Sequence, residues 1–390
     1  MLKNKISGML LLCWTLPLFA SPYIPSSPAQ VLEKLPANSA TSTKEFKHLR
    51  AILNVEPNNT SVATQLAKLY IERSRIEGDP RYLGYAQAAL APWWKLNAPP
   101  VEVLVLRATL LQSTHHFDLS LIDLNKVLKL DPKNGQAWIT RATILQVQAK
   151  YAEAYQSCEH LYSIAPALIT LTCATNIHNL SGQAQKSYAK LNAAYSESGE
   201  TNPSIQVWVL TLLAEMATRL DDSKAAEQYF QQAIKIEEPN SYLLGAYSDF
   251  LLDEQRPQLV IKLLKTKTRI DALLLRYAEA LKATKSTEAN IQIEALKQRF
   301  AAAMLRGDTV HQREQSRFEL RLMQNPAKAM QIAKLNWEVQ KEPADARVYL
   351  EAATAARDNA AIQIMTQWLA SHHLEDAALT KIVTNYNSAS

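Results

Sequence analysis

Arg107-Ala108-Thr109-Leu110-Leu111-Gln112 returns as Arg141-Ala142-Thr143-Ile144-Leu145-Gln146, 34 positions later, with one replacement among the six residues. A period of that length is the length of a helix-turn-helix hairpin. One such hairpin cannot bury its apolar faces alone, so copies stack side by side and leave an inner surface on which another molecule is usually held.

Composition agrees with helix. Only 8 of 390 residues are glycine, and Ala, Leu, Gln, Lys and Glu are abundant, which disfavours turn-rich sheet. The sequence predicts an all-α chain.

Residues 1–20 are read apart from the rest. Lys3 and Lys5 precede an apolar stretch over 9–19, and Ala20 then offers a small residue before Ser21, Pro22 and Pro25. That order is the order of a secretory signal peptide, cleaved on export, and it predicts a periplasmic location. Retention as an N-terminal anchor is the competing reading. Leu10, Leu11 and Leu12 stand before Cys13, where bacterial lipid attachment needs small residues. No later stretch approaches the roughly 20 uncharged apolar residues of a membrane helix.

Forty-two basic side chains face 37 acidic ones, a formal charge of +5, which falls to +3 without Lys3 and Lys5. The two signs are interspersed, as on a solvated helical surface. Without a clustered basic face, nucleic acid is not expected as a partner.

Residues 21–43, rich in Pro, Ser, Thr and Ala, read as a flexible lead-in. A helix is expected over 43–53. Thr60 is expected to cap the next one, and Asp79-Pro80 to open its partner. Gly182 marks a later hairpin turn, and Ala226, Phe230 and Ala233 share one helical face before Pro239. Further hairpins are expected over 242–264, 312–339 and 345–369, with helices over 273–282 and 289–305 before a break at Gly307-Asp308.

The repeated stretch resembles the tetratricopeptide repeat family. Trp138, Ala142, Leu145, Tyr151, Ala154 and Pro166 fall at that family's signature spacings, and Leu104, Ala108, Leu111, Phe117, Ser120 and Pro132 match them 34 residues upstream. The resemblance implies a right-handed superhelix of stacked antiparallel hairpins over 44–265, best marked at 101–134 and 135–168. Divergent hairpins over 266–390 would continue the array. It also implies small residues at Ala108, Ser120, Ala142 and Ala154, where paired helices touch. In this family the first helix of each hairpin lines the concave face. That assigns Glu102, Val105, Thr109, Gln112, Gln136, Ile139, Thr140, Thr143 and Gln146 to a partner-binding groove, an open cradle without an enclosed cavity. Members that grip a chaperone's C-terminal carboxylates use Lys, Asn and Arg at set positions. Here those positions hold Val105, Thr109, Thr140, Ile169 and Cys173, so that clamp is missing. Threonine and glutamine are instead expected to hydrogen-bond the backbone of an extended segment.

No phosphate-binding glycine loop, zinc-protease motif, serine elbow or Cys-x-x-Cys pair occurs in the chain. The sequence therefore predicts no catalysis and no cofactor. His115-His116 and His372-His373 invite a metal reading, but both pairs fall near expected turns, where polar residues are ordinary. Trp93, Trp94, Tyr82 and Tyr85, and separately Trp337 and Trp368, are expected to pack as core.

Cys158 and Cys173 remain after the leader, on consecutive antiparallel helices, and are a candidate disulfide. Repeat register speaks against it. It sets Cys158 on an interior face and Cys173 near the groove stripe, which would hold their Cα atoms beyond the ~7 Å limit.

The functional expectation is a non-catalytic exported scaffold binding a protein or peptide partner. Two alternatives stand beside it: an envelope accessory handling a glycan or metal, and an enzyme with an unrecognised domain after residue 265.

Overall fold

The computed structural model describes residues 40–389. The chain divides into two units, 1–48 and 49–390, and α1 (Ala40–Val55) crosses the division. All the remaining helices belong to the second unit.

After α1 come α2 (Thr60–Glu77), α3 (Arg81–Ala89), the short α4 (Ala91–Trp94), α5 (Val101–Ser113), α6 (Phe117–Leu130), α7 (Gly135–Val147) and α8 (Tyr151–Glu159). The array continues through α9 (Ala167–Asn179), α10 (Ala184–Ser198), α11 (Pro203–Arg219), α12 (Ser223–Ile236), α13 (Ser241–Asp253) and α14 (Pro257–Leu264). It ends with α15 (Asp271–Ala283), α16 (Ala289–Leu305), α17 (Gln312–Arg321), α18 (Pro326–Val339), α19 (Pro343–Ala356), α20 (Asn359–Ser371) and α21 (Ala377–Ala389). Consecutive helices pack as antiparallel pairs, from α2 with α3 to α19 with α20, and no strand occurs among the described residues. The fold is an all-α solenoid of stacked hairpins. The described helices after residue 265, α15 to α21, continue the same packing of hairpins. α4 and α21 were not anticipated from the sequence.

The turns show the repeat more faithfully than the motif does. Within successive hairpins, His115, Ala149, Gly182, Asp221, Gln255, Lys285, Gln324 and Arg357 all have positive φ. The next N–H reaches back to an earlier carbonyl, as in His116 N to Leu111 O (2.8 Å), Lys150 N to Leu145 O (2.8 Å) and Asp358 N to Ala353 O (2.9 Å). This is the Schellman closure, which satisfies the last carbonyls of a helix. Only one of the eight is glycine, so seven side chains sit in a left-handed conformation that costs L-residues free energy.

Two expected caps shift by one residue. Asn59, not Thr60, caps α2, its Oδ1 accepting from Val62 N, while Thr60 is already helical. Pro80 precedes the first helical residue, and Asp79 accepts from Arg81 N.

The small-residue seams form as the resemblance implies. Ser120 and Ala154 are fully buried, and Ser120 Oγ donates to Ala108 O at 2.7 Å. Arg107 of the first hexapeptide pairs with Asp123 at 2.6 Å, and its counterpart Arg141 donates to Ser157, again 16 residues onward. Replacing Ala154 by Phe forces α7 and α8 apart and is expected to cost about 1–3 kcal/mol by overpacking. An unchanged chemical-denaturation midpoint would refute this.

Candidate functional site

The first helices of five successive hairpins turn one face toward a common space. Residues from α2, α5, α7, α9 and α11, the connection before α13, Tyr242, and Glu342 at the start of α19 line a cavity of about 1050 Å³. The groove is half open, its wall residues Gln136 and Thr143 exposed to solvent, and the winding brings distant turns into contact beside it. Ser241 Oγ donates to Arg75 O across 3.3 Å, and at Gly78 (φ +62) an added Cβ would lie 2.8 Å from the Ile270 side chain. The C-terminal hairpins also reach back to earlier ones, with Lys341 N donating to Val147 O (2.8 Å) and Ala184 N to Glu375 Oε1 (3.1 Å). Both contacts join residues nearly 200 positions apart, beyond the reach of any periodicity argument.

Seven of the nine assigned groove residues line this cavity: Glu102, Val105, Thr109, Gln136, Ile139, Thr143 and Gln146. Thr140 and Gln112 do not. Thr140 lies one position past Ile139, so it points about 100° away from the stripe. It is buried there, donating to Gln136 O (2.9 Å) and accepting from Gln136 Nε2 (3.1 Å). Gln112 lies off the wall near the end of α5.

The threonines also offer less than expected. Thr109 Oγ1 donates to Val105 O at 2.9 Å, and Thr143 Oγ1 to Ile139 O at 3.0 Å. With those protons spent inside the helix, both hydroxyls present lone pairs only, able to accept from a segment's N–H but not to donate. Gln146 supplies the missing donor, because its Oε1 is taken by Asn176 Nδ2 at 2.8 Å and its NH2 remains.

Sequence reasoning missed the α2 wall (Lys68, Ile71, Glu72, Arg73, Arg75, Ile76), the α11 wall (Val207, Trp208, Thr211, Leu212) and the acidic connection Glu237-Glu238. Tyr242 OH donates to Glu215 Oε1 at 2.7 Å. Burial raises the Glu215 carboxyl above its usual range and suppresses ionisation of the Tyr242 phenol, which Glu215 suppresses further.

Cys158 and Cys173 are bridged, with Cα atoms 5.7 Å apart. The register objection is thereby corrected. Cys173 does line the cavity, yet α8 and α9 lie close enough for Cys158 to reach it from the interior side.

The histidine pairs occupy turns. Burial, then the positive charge of Arg313, lowers His115 to about 4, so its ring is neutral and Nδ1 accepts from Gln340 Nε2 at 3.3 Å. His372 stacks on Trp368. Among the described residues no three His, Cys, Asp or Glu side chains gather as a metal site. Trp93 is buried, and Trp337 packs edge-on against Trp368 at 4.8 Å, but Tyr85 is exposed.

A second cavity of about 170 Å³ is ringed by charge. Arg313, Arg317 and Arg321 project from one face of α17. Arg317 binds Glu279 (2.7 Å) and Asp249 (2.6 Å), Arg313 binds Asp345 (2.6 Å) and Glu342 (2.7 Å), and Arg321 binds Glu351 (2.7 Å). The expectation that acids and bases merely share a solvated surface fails here, because the superhelix folds these charges inward. Arg276 and Arg317 hold the Asp249 carboxyl well below the usual carboxylate range.

A tetratricopeptide repeat model matches residues 209–240, which span the end of α11 and all of α12. The match lies outside 101–168, where the sequence signature is clearest. No curated protein matches significantly. Similar solved structures include a tetratricopeptide repeat protein from Parabacteroides merdae, 14% identical, with a TM-score of 0.42 over 67% of this chain and 94% of that one. The anaphase-promoting-complex assembly Cut9-Hcn1 is also 14% identical, with a TM-score of 0.45 over 82% and 60% of the two chains. Yeast Tom70 is 16% identical, with a TM-score of 0.35 over 85% and 61%. Residues 209–240 thus match the tetratricopeptide repeat, and the described hairpins are similar to that repeat in fold. That fold generally mediates protein–protein interaction or scaffolding and is typically non-catalytic. Among the described residues, no helix is long and apolar enough to cross a membrane.

Proposed function

We propose that this chain is a non-catalytic exported scaffold that holds an extended segment of a partner protein inside the superhelical cavity. One observation carries the reading: inner faces of five successive hairpins converge on about 1050 Å³, room for a peptide segment of several residues. Amides and hydroxyls at Gln136, Thr143, Gln146 and Asn176 provide backbone partners beside apolar Val105, Ile139 and Val207. Export, to a Gram-negative periplasm, is supported by the leader-like order of residues 1–20 and by the Cys158–Cys173 bridge, since such bonds persist in oxidising compartments.

Filling the cavity tests the reading. Gln136 and Thr143 are exposed wall residues, so Gln136→Trp with Thr143→Trp is expected to occupy space without disturbing the hairpin seams. Proteins retained from envelope extract by the unaltered chain should be lost by this double variant while its melting profile stays the same. Retention of the same proteins by both sinks the proposal.

A further inference from the structure

Tyr242 lines the cavity and is 61% exposed, so its ring is left largely uncovered. Its hydroxyl is fixed by donation to the Glu215 carboxylate at 2.7 Å, and Asn240 caps its helix by accepting from Leu243 N. A phenol that donates to a carboxylate carries extra electron density on its ring, which strengthens the negative face that attracts cations.

The charge around it has the matching sign. Of the five glutamates on the wall, Glu238 is bound to Lys267 (3.1 Å) and Glu342 to Arg313 (2.7 Å), and of the three bases Arg73 is bound to Glu77 (2.6 Å), which leaves Glu72, Glu102 and Glu237 against Lys68 and Arg75. Glu102 and Glu237 carry no ion pair among the described residues. The unpaired charge on this wall is slightly acidic, opposite in sign to the chain's formal +5.

From this combination we infer that the bound segment is basic, with a lysine or arginine head resting on the Tyr242 face and its methylene stem along Val207, Trp208 and Leu212. Long cationic side chains fit because they are apolar for most of their length and charged at the tip. The inference rests on the cavity being a peptide site.

Titration calorimetry of the full chain with three acetylated, amidated nine-residue peptides tests it: alternating serine–lysine, serine–glutamine and serine–glutamate. The lysine peptide is expected to bind one-to-one and about three- to fivefold more tightly than the glutamine peptide, the scale of an exposed cation–π contact. Tyr242→Leu should abolish that preference. Should that variant melt early, Glu102→Gln with Glu237→Gln, which breaks no ion pair, should also reduce it. Equal binding of lysine and glutamine peptides overturns the basic-segment inference and leaves the peptide site standing. Failure of all three to bind also overturns it. If the tryptophan-filled variant then captures partners normally, the parent reading falls as well.

Discussion

Arg317→Ala is expected to lower the free energy of unfolding by about 3–5 kcal/mol, the cost of breaking a buried ion pair from one side. The guanidinium is 10% exposed and serves two carboxylates on two other helices, Glu279 on α15 and Asp249 on α13. Its removal leaves Glu279 with only the 3.4 Å contact from Arg321. The loss comes from stranding buried charge. An exposed pair behaves differently: Arg299→Ala, which breaks a contact to Asp271 made by a 38% exposed guanidinium, should cost less than about 1 kcal/mol. Hairpins depend on their neighbours, so α17 through α21 should unfold first and give a broadened transition by circular dichroism. The same network sets an acid limit. Asp249 has a folded-state pKa depressed below its unfolded value near 3.9, so its contribution is fully present above that value and is lost as pH falls through the folded one. Equal denaturation midpoints for Arg317→Ala and Arg299→Ala would mean that the network adds no stability.

The contrast between those two arginines shows what the sequence discloses. Arg107 and Arg141 recur at the repeat period, and each finds its partner 16 residues away inside its own hairpin. Local periodicity suffices for such pairs. Arg317 looks like any charged helical residue in Gln312–Arg321, a very polar stretch, because its partners lie 38 and 68 positions back. The cavity divides in the same way. The stripe from Gln136 to Gln146 follows from helical spacing, and the sequence locates it. The contacts that Ser241, Ile270 and Glu342 make with distant turns depend on the accumulated rotation between units. That rotation is fixed by many small packing choices, none of which leaves a motif. Thr140 failed for a simpler reason, a rotation of one residue around α7.

Replacing both Cys158 and Cys173 by Ala is expected to cost about 3 kcal/mol, the loop-closure value for a 15-residue separation. Free-thiol counting on unreduced, denatured protein should first find neither Cys158 nor Cys173 reactive; two reactive thiols there would dispose of the bridge. The consequence should extend past stability. Cys173 shares α9 with Asn176, whose amide donates to Gln146 of α7, so both residues belong to the cavity wall. The bridge ties that stretch of α9 to α8, which packs against α7 through the buried Ala154 seam. Without it, only side-chain packing and the Asn176–Gln146 bond hold α9 in register with the preceding hairpin. Partner retention should therefore weaken in the double alanine variant at temperatures well below its melting transition. Full retention up to the transition would mean that packing alone shapes the wall.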